Sequence, residues 1–153
     1  GWINDFWVEF CATQQIGAAQ LSIATPQEEG RPAEVRVDPS QLHQVMSNLC
    51  QNALTHGRRP EGPAAPVEIR YGRLASNGRP YVEVIDQGPG IAREDVERVF
   101  EPFFTRAPRG TGLGLFLARE LAASNGATLL HESPPGGGSL FRLVFSDPGR
   151  WEE

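Results

Sequence analysis

The spacing of apolar residues predicts a chain that mixes strands and helices. Alternating apolar and polar residues are typical of strands, and apolar residues three and four apart are typical of helices. The segments with strand periodicity are 21–24, 34–37, 67–74, 81–86, 127–132 and 140–145, and the first two pairs are predicted hairpins. The segments with helical spacing are 1–15, 40–56, 92–99 and 113–125. We therefore expect an α+β two-layer sandwich, in which a mixed, mostly antiparallel sheet of about five strands packs on three helices.

Turn and capping residues mark the ends of these elements. Asp38, Pro39 and Ser40 are typical of a helix start, and Gly126 is a typical stop for the last helix. An Asn-Gly pair at 77–78 is the turn signal of the second hairpin.

Composition restricts the class of protein. The chain has 153 residues, of which 39% are hydrophobic and 22% charged, as expected for one soluble globular domain. Its net charge of −5 favours neither nucleic acid nor an anionic membrane as a partner. No apolar run approaches the ~20 residues of a membrane span. Cys11 and Cys50 lie in apolar helical patterns, which favours reduced, buried, cytosolic thiols over a disulfide.

The absence of lysine narrows the possible phosphate chemistry. All 14 basic side chains are arginines. The Walker A loop and the serine/threonine kinase scheme both need a lysine, so both are excluded. Any phosphate group must be held by backbone N–H groups, arginines, hydroxyl groups and a metal ion.

Two glycine turns indicate a nucleotide pocket. The first follows a strand that ends in an aspartate, and there Gly88 and Gly90 leave room for a flat ring. The second precedes a helix, and Gly110, Gly112 and Gly114 allow backbone N–H groups to approach phosphate at the positive helix end.

Two asparagines indicate a metal ligand. Asn48 and Asn52 are four residues apart on a predicted helix and therefore share one face. Their neighbours Leu49 and Ala53 are apolar, so the pair is expected at the boundary of the core, where an amide needs a partner. An amide oxygen is a suitable hard ligand for Mg²⁺ that carries phosphates and water.

The order of these motifs resembles that of a known family. NLCQNA at 48–53, DQGPG at 86–90, FEPFF at 100–104 and GTGLGL at 110–115 are similar to the N, G1, F and G2 boxes of sensor histidine kinases. The resemblance covers about residues 35–146 and implies the catalytic, ATP-binding domain of these kinases. That domain has the Bergerat fold, which gyrase, heat-shock chaperone and mismatch-repair ATPases share.

The resemblance also implies roles for single residues. Asn52 matches the Mg²⁺-binding asparagine, and Asp86 matches the carboxylate that accepts a hydrogen bond from the adenine amino group. Asn48 and Asn52 are the implied catalytic positions, and ATP or ADP with Mg²⁺ is the implied cofactor. The implied nucleotide-contacting positions are Asn52, His56, Asp86, Gly88, Gly90, Ile91, Phe104, Thr105, Arg106, Arg109, Gly110, Thr111, Gly112, Leu113, Gly114 and Leu115.

The chain departs from the family pattern at two places. Many relatives carry a basic and then an aromatic residue after the Mg²⁺ asparagine, where this chain has Thr55 and His56. In the predicted lid, residues 104–110, Ala107 replaces a lysine, so Arg106 or Arg109 must supply charge to the γ-phosphate. The run FLARELAASNGA resembles the nitrogen- and pilus-regulating kinases.

Three other functions compete with the histidine kinase. ATPase switches of the gyrase and chaperone type place a glutamate base one turn before the Mg²⁺ asparagine, and serine kinases of anti-sigma type tend to keep it. This chain has Asn48 there, and an amide takes up no proton. A nucleotide-binding module without catalysis is the third alternative, and the Thr55 and Ala107 departures leave it open.

The resemblance implies a division of the chain. Residues 1–15 are expected to lead from a missing dimerisation domain, residues 16–148 to form the ATP-binding domain, and residues 149–153 to form a tail. The first helix carries an aromatic stripe that packs on this core or on the missing neighbour, and its members are Trp2, Phe6 and Phe10.

The expected partners follow from the acceptor that such kinases use. They phosphorylate a histidine in an H-E-x-x-x-P context, which His43, His56 and His131 do not match. We therefore expect a fragment whose partners are the histidine-bearing dimerisation domain and, downstream, a response regulator receiver domain. Neither nucleic acid nor direct membrane contact is expected. The expected location is cytoplasmic, within a full-length protein that can itself be membrane-anchored.

Overall fold

The computed structural model describes residues 2–14, 21–23, 37–56, 67–74, 78–87, 98–101, 113–134 and 137–145, without the side chains of residues 2–4, 14, 23, 55 and 56. Within these ranges it contains three helices and five strands. The helices are α1 (Trp2–Gln14), α2 (Pro39–His56) and α3 (Gly114–Ser124). The strands are β1 (Leu21–Ile23), β2 (Val67–Arg73), β3 (Pro80–Asp86), β4 (Thr128–Glu132) and β5 (Ser139–Val144).

The strands form one mixed sheet in the order β1-β2-β3-β5-β4. Only the pairing of β1 with β2 is parallel within the described sheet, and the other three pairings are antiparallel. The predicted α+β sandwich with a mostly antiparallel sheet is therefore confirmed. The sequence predicts that residues 34–37 pair with β1. Residues 34–36 of that segment lie outside the described residues. The predicted helix over 92–99 also lies mostly outside them, and Arg98–Phe100 form a turn.

The helix-facing side of the sheet forms the core. Val84 lies opposite Ile69 on one neighbouring strand and Phe141 on the other, and opposite residues project to the same face. Helix α2 contacts β2 and β3, α3 contacts β4, and α1 contacts β1. The largest fully buried side chains are Phe6, Phe141, Leu21, Met46, Leu49, Ile69, Leu143, Val67, Val84 and Cys50.

Helix α1 is part of this core. Phe6 and Phe10 are 2% and 4% exposed, and their ring centroids lie 5.5 Å apart. The rings of Phe6 and of His43 on α2 pack in a T-shaped arrangement, with their centroids 5.2 Å apart. Trp7 Nε1 donates to the carbonyl oxygen of Leu21 at 3.0 Å, which ties α1 to the edge strand β1. The described aromatic residues of the predicted stripe thus pack on the core of this domain.

On the opposite face of the sheet, an ionic cluster joins three strands. Arg142 on β5 donates to Glu83 on β3 at 2.9 Å and to Glu132 on β4 at 2.8 Å. Only 8% of the Glu83 side chain is exposed, so this pair is shielded from water and helps to set the strand register.

The two cysteines carry free thiols. Cys50 is buried and Cys11 is half-buried, and burial raises the pKa of both thiols. A raised pKa keeps a thiol protonated and unreactive. The predicted burial is confirmed for Cys50, whereas Cys11 is only half-buried. None of the described helices combines the length and apolar character needed to cross a bilayer.

Helices α2 and α3 pack against each other in antiparallel directions. Asn48, in the second half of α2, bonds to Gly114 at the start of α3, whereas Gln41, near the start of α2, bonds to Asn125 at the end of α3. Ala118 on α3 is fully buried, and so small a side chain allows the two helices to approach closely.

Asn125 joins the far ends of this helix pair. Its Oδ1 accepts the backbone N–H of Asp38 at 2.8 Å, and its Nδ2 donates to Gln41 Oε1 at 2.6 Å and to Leu121 O at 2.8 Å. One side chain therefore satisfies groups at the end of α3 and at the start of α2.

We expect Asn125→Ala to lower the free energy of unfolding by about 1–3 kcal/mol, because three hydrogen bonds are lost together. The neighbouring Ser124→Ala is the control, since the Ser124 hydroxyl bonds only within α3, to Glu120 O. It should change the free energy by less than about 0.5 kcal/mol. Urea denaturation of both variants measures the difference, and equal midpoints would show that Asn125 does not join the helices energetically.

Candidate nucleotide-binding site

Helix α2 begins at a strong side-chain cap. Asp38 Oδ1 accepts the hydroxyl of Ser40 at 2.6 Å and the backbone N–H groups of Ser40 and Gln41 at 2.9 and 3.2 Å. The hydrogen bond from the Ser40 hydroxyl, followed by the backbone bonds, lowers the pKa of Asp38. The cap fixes where α2 starts, and hence which residues of α2 face the site.

The two asparagines of α2 lie at the boundary of the core. Both are half-buried, and Leu49 and Ala53, which follow them in the chain, are buried. Asn48 is hydrogen-bonded at both ends of its amide: Oδ1 accepts Gln44 Nε2 at 2.7 Å, and Nδ2 donates to Gly114 O at 3.1 Å. The structure thus brings one predicted catalytic residue into contact with the predicted phosphate turn.

Within the described part of the chain, helix α3 starts without a cap from its N-cap side chain. Leu113 is its N-cap residue, and no side chain there bonds to the first turn, which also lacks an acidic residue. The positive end of the helix is therefore not compensated by a carboxylate or hydroxyl of α3 itself, which suits an anion such as phosphate. Gly114 is exposed, and a Cβ atom built on it would have no atom within 4 Å.

Asp86 ends β3 on the helix-facing side of the sheet. It is 3% exposed and lies two residues after the core residue Val84, so both project to the same face. The strand register places Ser139, which is also buried, directly opposite Asp86 on β5. The sequence interpretation missed Ser139, although a serine that begins a mostly apolar strand is a detectable signal.

Gly138 packs directly on the backbone of Asp86. Its φ is +86°, and a Cβ atom there would lie 2.1 Å from the Asp86 carbonyl oxygen. Only glycine fits such a conformation and such an approach. The sequence interpretation treated this segment as a plain connection between strands, because the contact depends on β5 lying beside β3.

Phe100 is a further contact that sequence reasoning did not assign. The guanidinium carbon of Arg119 on α3 lies 5.2 Å from the centroid of the Phe100 ring. The rings of Phe100 and Phe141 pack in a T-shaped arrangement, with their centroids 5.9 Å apart. This stack joins the turn at 98–101 to α3 and β5.

Most of the remaining predicted nucleotide contacts lie outside the described residues, and all of them stay predictions. Leu115 is described and is half-buried on the first turn of α3. The predicted positions not described are the side chain of His56 and the residues Gly88, Gly90, Ile91, Phe104, Thr105, Arg106, Arg109, Gly110, Thr111 and Gly112.

A family model matches most of the chain. The model of histidine kinase-, DNA gyrase B- and HSP90-like ATPases matches residues 37–149. The chain belongs to this ATPase family. The curated relatives that it resembles are named as sensor kinases.

Individual relatives agree in both sequence and structure. The chain is 43% identical to sensor protein kinase PilS of Pseudomonas aeruginosa over 115 residues, which cover 75% of this chain and 22% of PilS. It is 37% identical to sensor histidine kinase ZraS of Klebsiella oxytoca over 119 residues, which cover 78% of this chain and 25% of ZraS. The chain thus spans only about a quarter of such relatives.

Solved structures show the same fold. The catalytic domain of histidine kinase ThkA superposes with a TM-score of 0.69 at 26% identity, covering 95% of this chain and 90% of that domain. The mycobacterial sensor histidine kinase MprB superposes with a TM-score of 0.73 at 24% identity, covering 94% and 91% of the two chains. Both likenesses support the ATPase-family fold, and the finer nitrogen- or pilus-regulating assignment stays a prediction.

We expect Asp86→Asn to weaken ADP binding by about 10-fold or more, because the amide can present a donor towards the adenine amino group. GTP should bind poorly to the unmodified ATPase-family domain, because its ring carbonyl would face the Asp86 carboxylate. Calorimetry with ADP, ATP and GTP measures both effects. Glu120→Gln, an equal charge change at an exposed position of α3, is the control. Unchanged ADP affinity in Asp86→Asn would contradict the assigned adenine contact.

Two glycine variants separate folding from ligand approach. Gly138→Ala should lower the free energy of unfolding by about 2 kcal/mol or more, because it adds both a clash and a left-handed strain. Gly114→Ala should leave stability unchanged or slightly higher, because space is open and alanine favours the helix. If backbone N–H groups hold phosphate there, Gly114→Ala still loses ADP affinity. Thermal unfolding and calorimetry distinguish these outcomes, and normal binding by Gly114→Ala would argue against close phosphate approach.

Proposed function

We propose that this domain binds ATP with Mg²⁺ and transfers the γ-phosphoryl group to a histidine on a separate dimerisation domain. A nitrogen atom of the acceptor imidazole forms the new bond to the γ-phosphorus, the bond to the bridging β,γ-oxygen breaks, and ADP leaves. Such a reaction asks the protein mainly for positioning and for neutralisation of charge. The family match and the arrangement of α2, α3 and β3 support this proposal.

The hydrogen bonding of Asn48 is the observation that favours a kinase over an ATPase switch. The position that holds a glutamate base in the switch ATPases here holds an amide, which has no useful basicity. That amide is also engaged at both ends, by Gln44 and by Gly114. No base for water is therefore expected at this position, and the phosphoryl group goes to an external acceptor.

The described residues support distinct parts of nucleotide binding. Asp86 lies buried at the end of β3, where a carboxylate accepts the adenine amino group and so selects adenine over guanine. The uncapped start of α3, with Gly114 exposed, offers backbone N–H groups to the phosphates. Arg106 or Arg109 would neutralise negative charge on the phosphates, and both arginines lie outside the described residues.

Asn52 fits a magnesium ligand. The part of the chain that is described holds no group of three or more His, Cys, Asp or Glu side chains that could bind a metal. One half-buried amide oxygen beside a phosphate site suits Mg²⁺, which keeps several waters and takes phosphate oxygens as ligands. The ion would neutralise charge on the phosphates.

We propose two partners for the full-length protein. The first is the dimerisation domain that carries the acceptor histidine, and the second is the receiver domain of a response regulator. The curated relatives support the first, because they are sensor kinases about four times as long as the matched segment.

The test combines this domain with the dimerisation domain of its own full-length protein, radiolabelled ATP and Mg²⁺. We expect acid-labile phosphate on the dimerisation domain, and Asn52→Ala should abolish the transfer, since the metal and its phosphate bridge are lost together. Gln51→Ala, at an exposed neighbouring position, is the control and should transfer normally.

The isolated domain should hydrolyse ATP very slowly, because it has neither base nor acceptor. If the unmodified domain hydrolyses ATP briskly and Asn48→Ala abolishes this hydrolysis, the kinase proposal is overturned and an ATPase switch is favoured.

A further inference from the structure

Gln44 forms a hydrogen bond with the side-chain amide of Asn48. It lies one turn before Asn48 on α2 and is exposed to solvent, yet its Nε2 donates to Asn48 Oδ1 at 2.7 Å. A primary amide has one accepting and one donating end. With a donor at its oxygen, Asn48 turns its NH₂ group towards Gly114 O, at 3.1 Å. One hydrogen bond, from Asn48, thus connects α2 with the first residue of α3, and a second bond, from Gln44 within α2, engages the other end of the same amide.

The bond reaches both predicted halves of the metal–phosphate site. Gly114 begins α3, whose uncapped start is the predicted phosphate position. Asn52, the predicted magnesium ligand, lies one turn after Asn48 on α2. The far ends of the two helices are joined separately by Asn125. The Gln44–Asn48–Gly114 connection therefore joins the second half of α2 to the start of α3, where metal and phosphates would lie.

We propose that Gln44 is a positioning residue for the Mg²⁺–phosphate part of the site and that it acts through Asn48. The inference rests on the proposed function and goes beyond it, because Gln44 itself contacts neither adenine nor the predicted metal ligand. A simpler explanation is a helix-surface pair of the i,i+4 type, which would stabilise α2 slightly and would affect no ligand. The two explanations predict different binding data.

The central variant is Gln44→Met, which removes the donor and keeps the length and neutrality of the side chain. Gln51→Met is the matched control, an exposed glutamine on the same helix. Calorimetry on the whole chain uses ADP with Mg²⁺ and adenosine with EDTA. We expect Gln44→Met to weaken binding of ADP with Mg²⁺ by about three- to tenfold, the value of one hydrogen bond. Adenosine binding should change less than about twofold, because the adenine end is not involved.

A double-mutant cycle shows whether Gln44 acts through Asn48. In an Asn48→Ala background, Gln44→Met should cause no further loss of affinity, because its partner is absent. An equal loss in both backgrounds, or an equal loss for adenosine, would overturn the proposal. So would Gln44→Met binding as tightly as Gln51→Met.

A nucleotide-free measurement separates this inference from the proposed function. The side-chain NH₂ signals of Asn48 in ¹⁵N NMR, assigned by their absence in Asn48→Ala, should move towards solvent-exposed values in Gln44→Met and stay in place in Gln51→Met. Unmoved signals would overturn the positioning role even if ADP binds. If the signals move as expected and the unmodified chain binds no nucleotide, the proposed function fails, and with it the role of Gln44 in that site.

Discussion

The antiparallel contact between α2 and α3 is the constraint on which the site depends. The magnesium ligand is predicted on α2 and the phosphate turn at the start of α3, more than 60 residues apart in the chain (Asn48 and Gly114 are separated by 66). Ala118 keeps the contact face of α3 small, so the helices approach closely. Polar side chains then join the helices at both ends, which fixes their relative position along the shared axis.

The adenine end of the site has a separate support. Asp86 is held by the pairing of β3 with β5, and Gly138 lets the start of β5 pass against the Asp86 backbone. The predicted phosphate end is held by helix contacts, whereas the predicted adenine end is held by strand register. Changes in one support can therefore alter recognition of the base or of the phosphates separately.

The two helices of the site begin in different ways, and the difference agrees with function. Helix α2 has a complete cap, in which Asp38 accepts three hydrogen bonds. Among the described residues, helix α3 has no side-chain cap from its N-cap residue Leu113, although such a cap contributes about 1 kcal/mol to a typical helix. A helix start without a cap from its own N-cap residue is typical of phosphate sites, and it agrees with the predicted phosphate position.

The sequence by itself determined the local elements and the order of the motifs. The Asp38 cap and the apolar spacing of 40–56 specify α2, and the glycine turn after Asp86 marks the end of β3, because these signals act between residues close in the chain. Only the tertiary structure decided that Ser139 lies opposite Asp86, that Gly138 must be glycine, and that Asn48 bonds to Gly114. Each of these contacts joins distant segments, and its partner depends on which strands and helices pack side by side, which local periodicity does not encode.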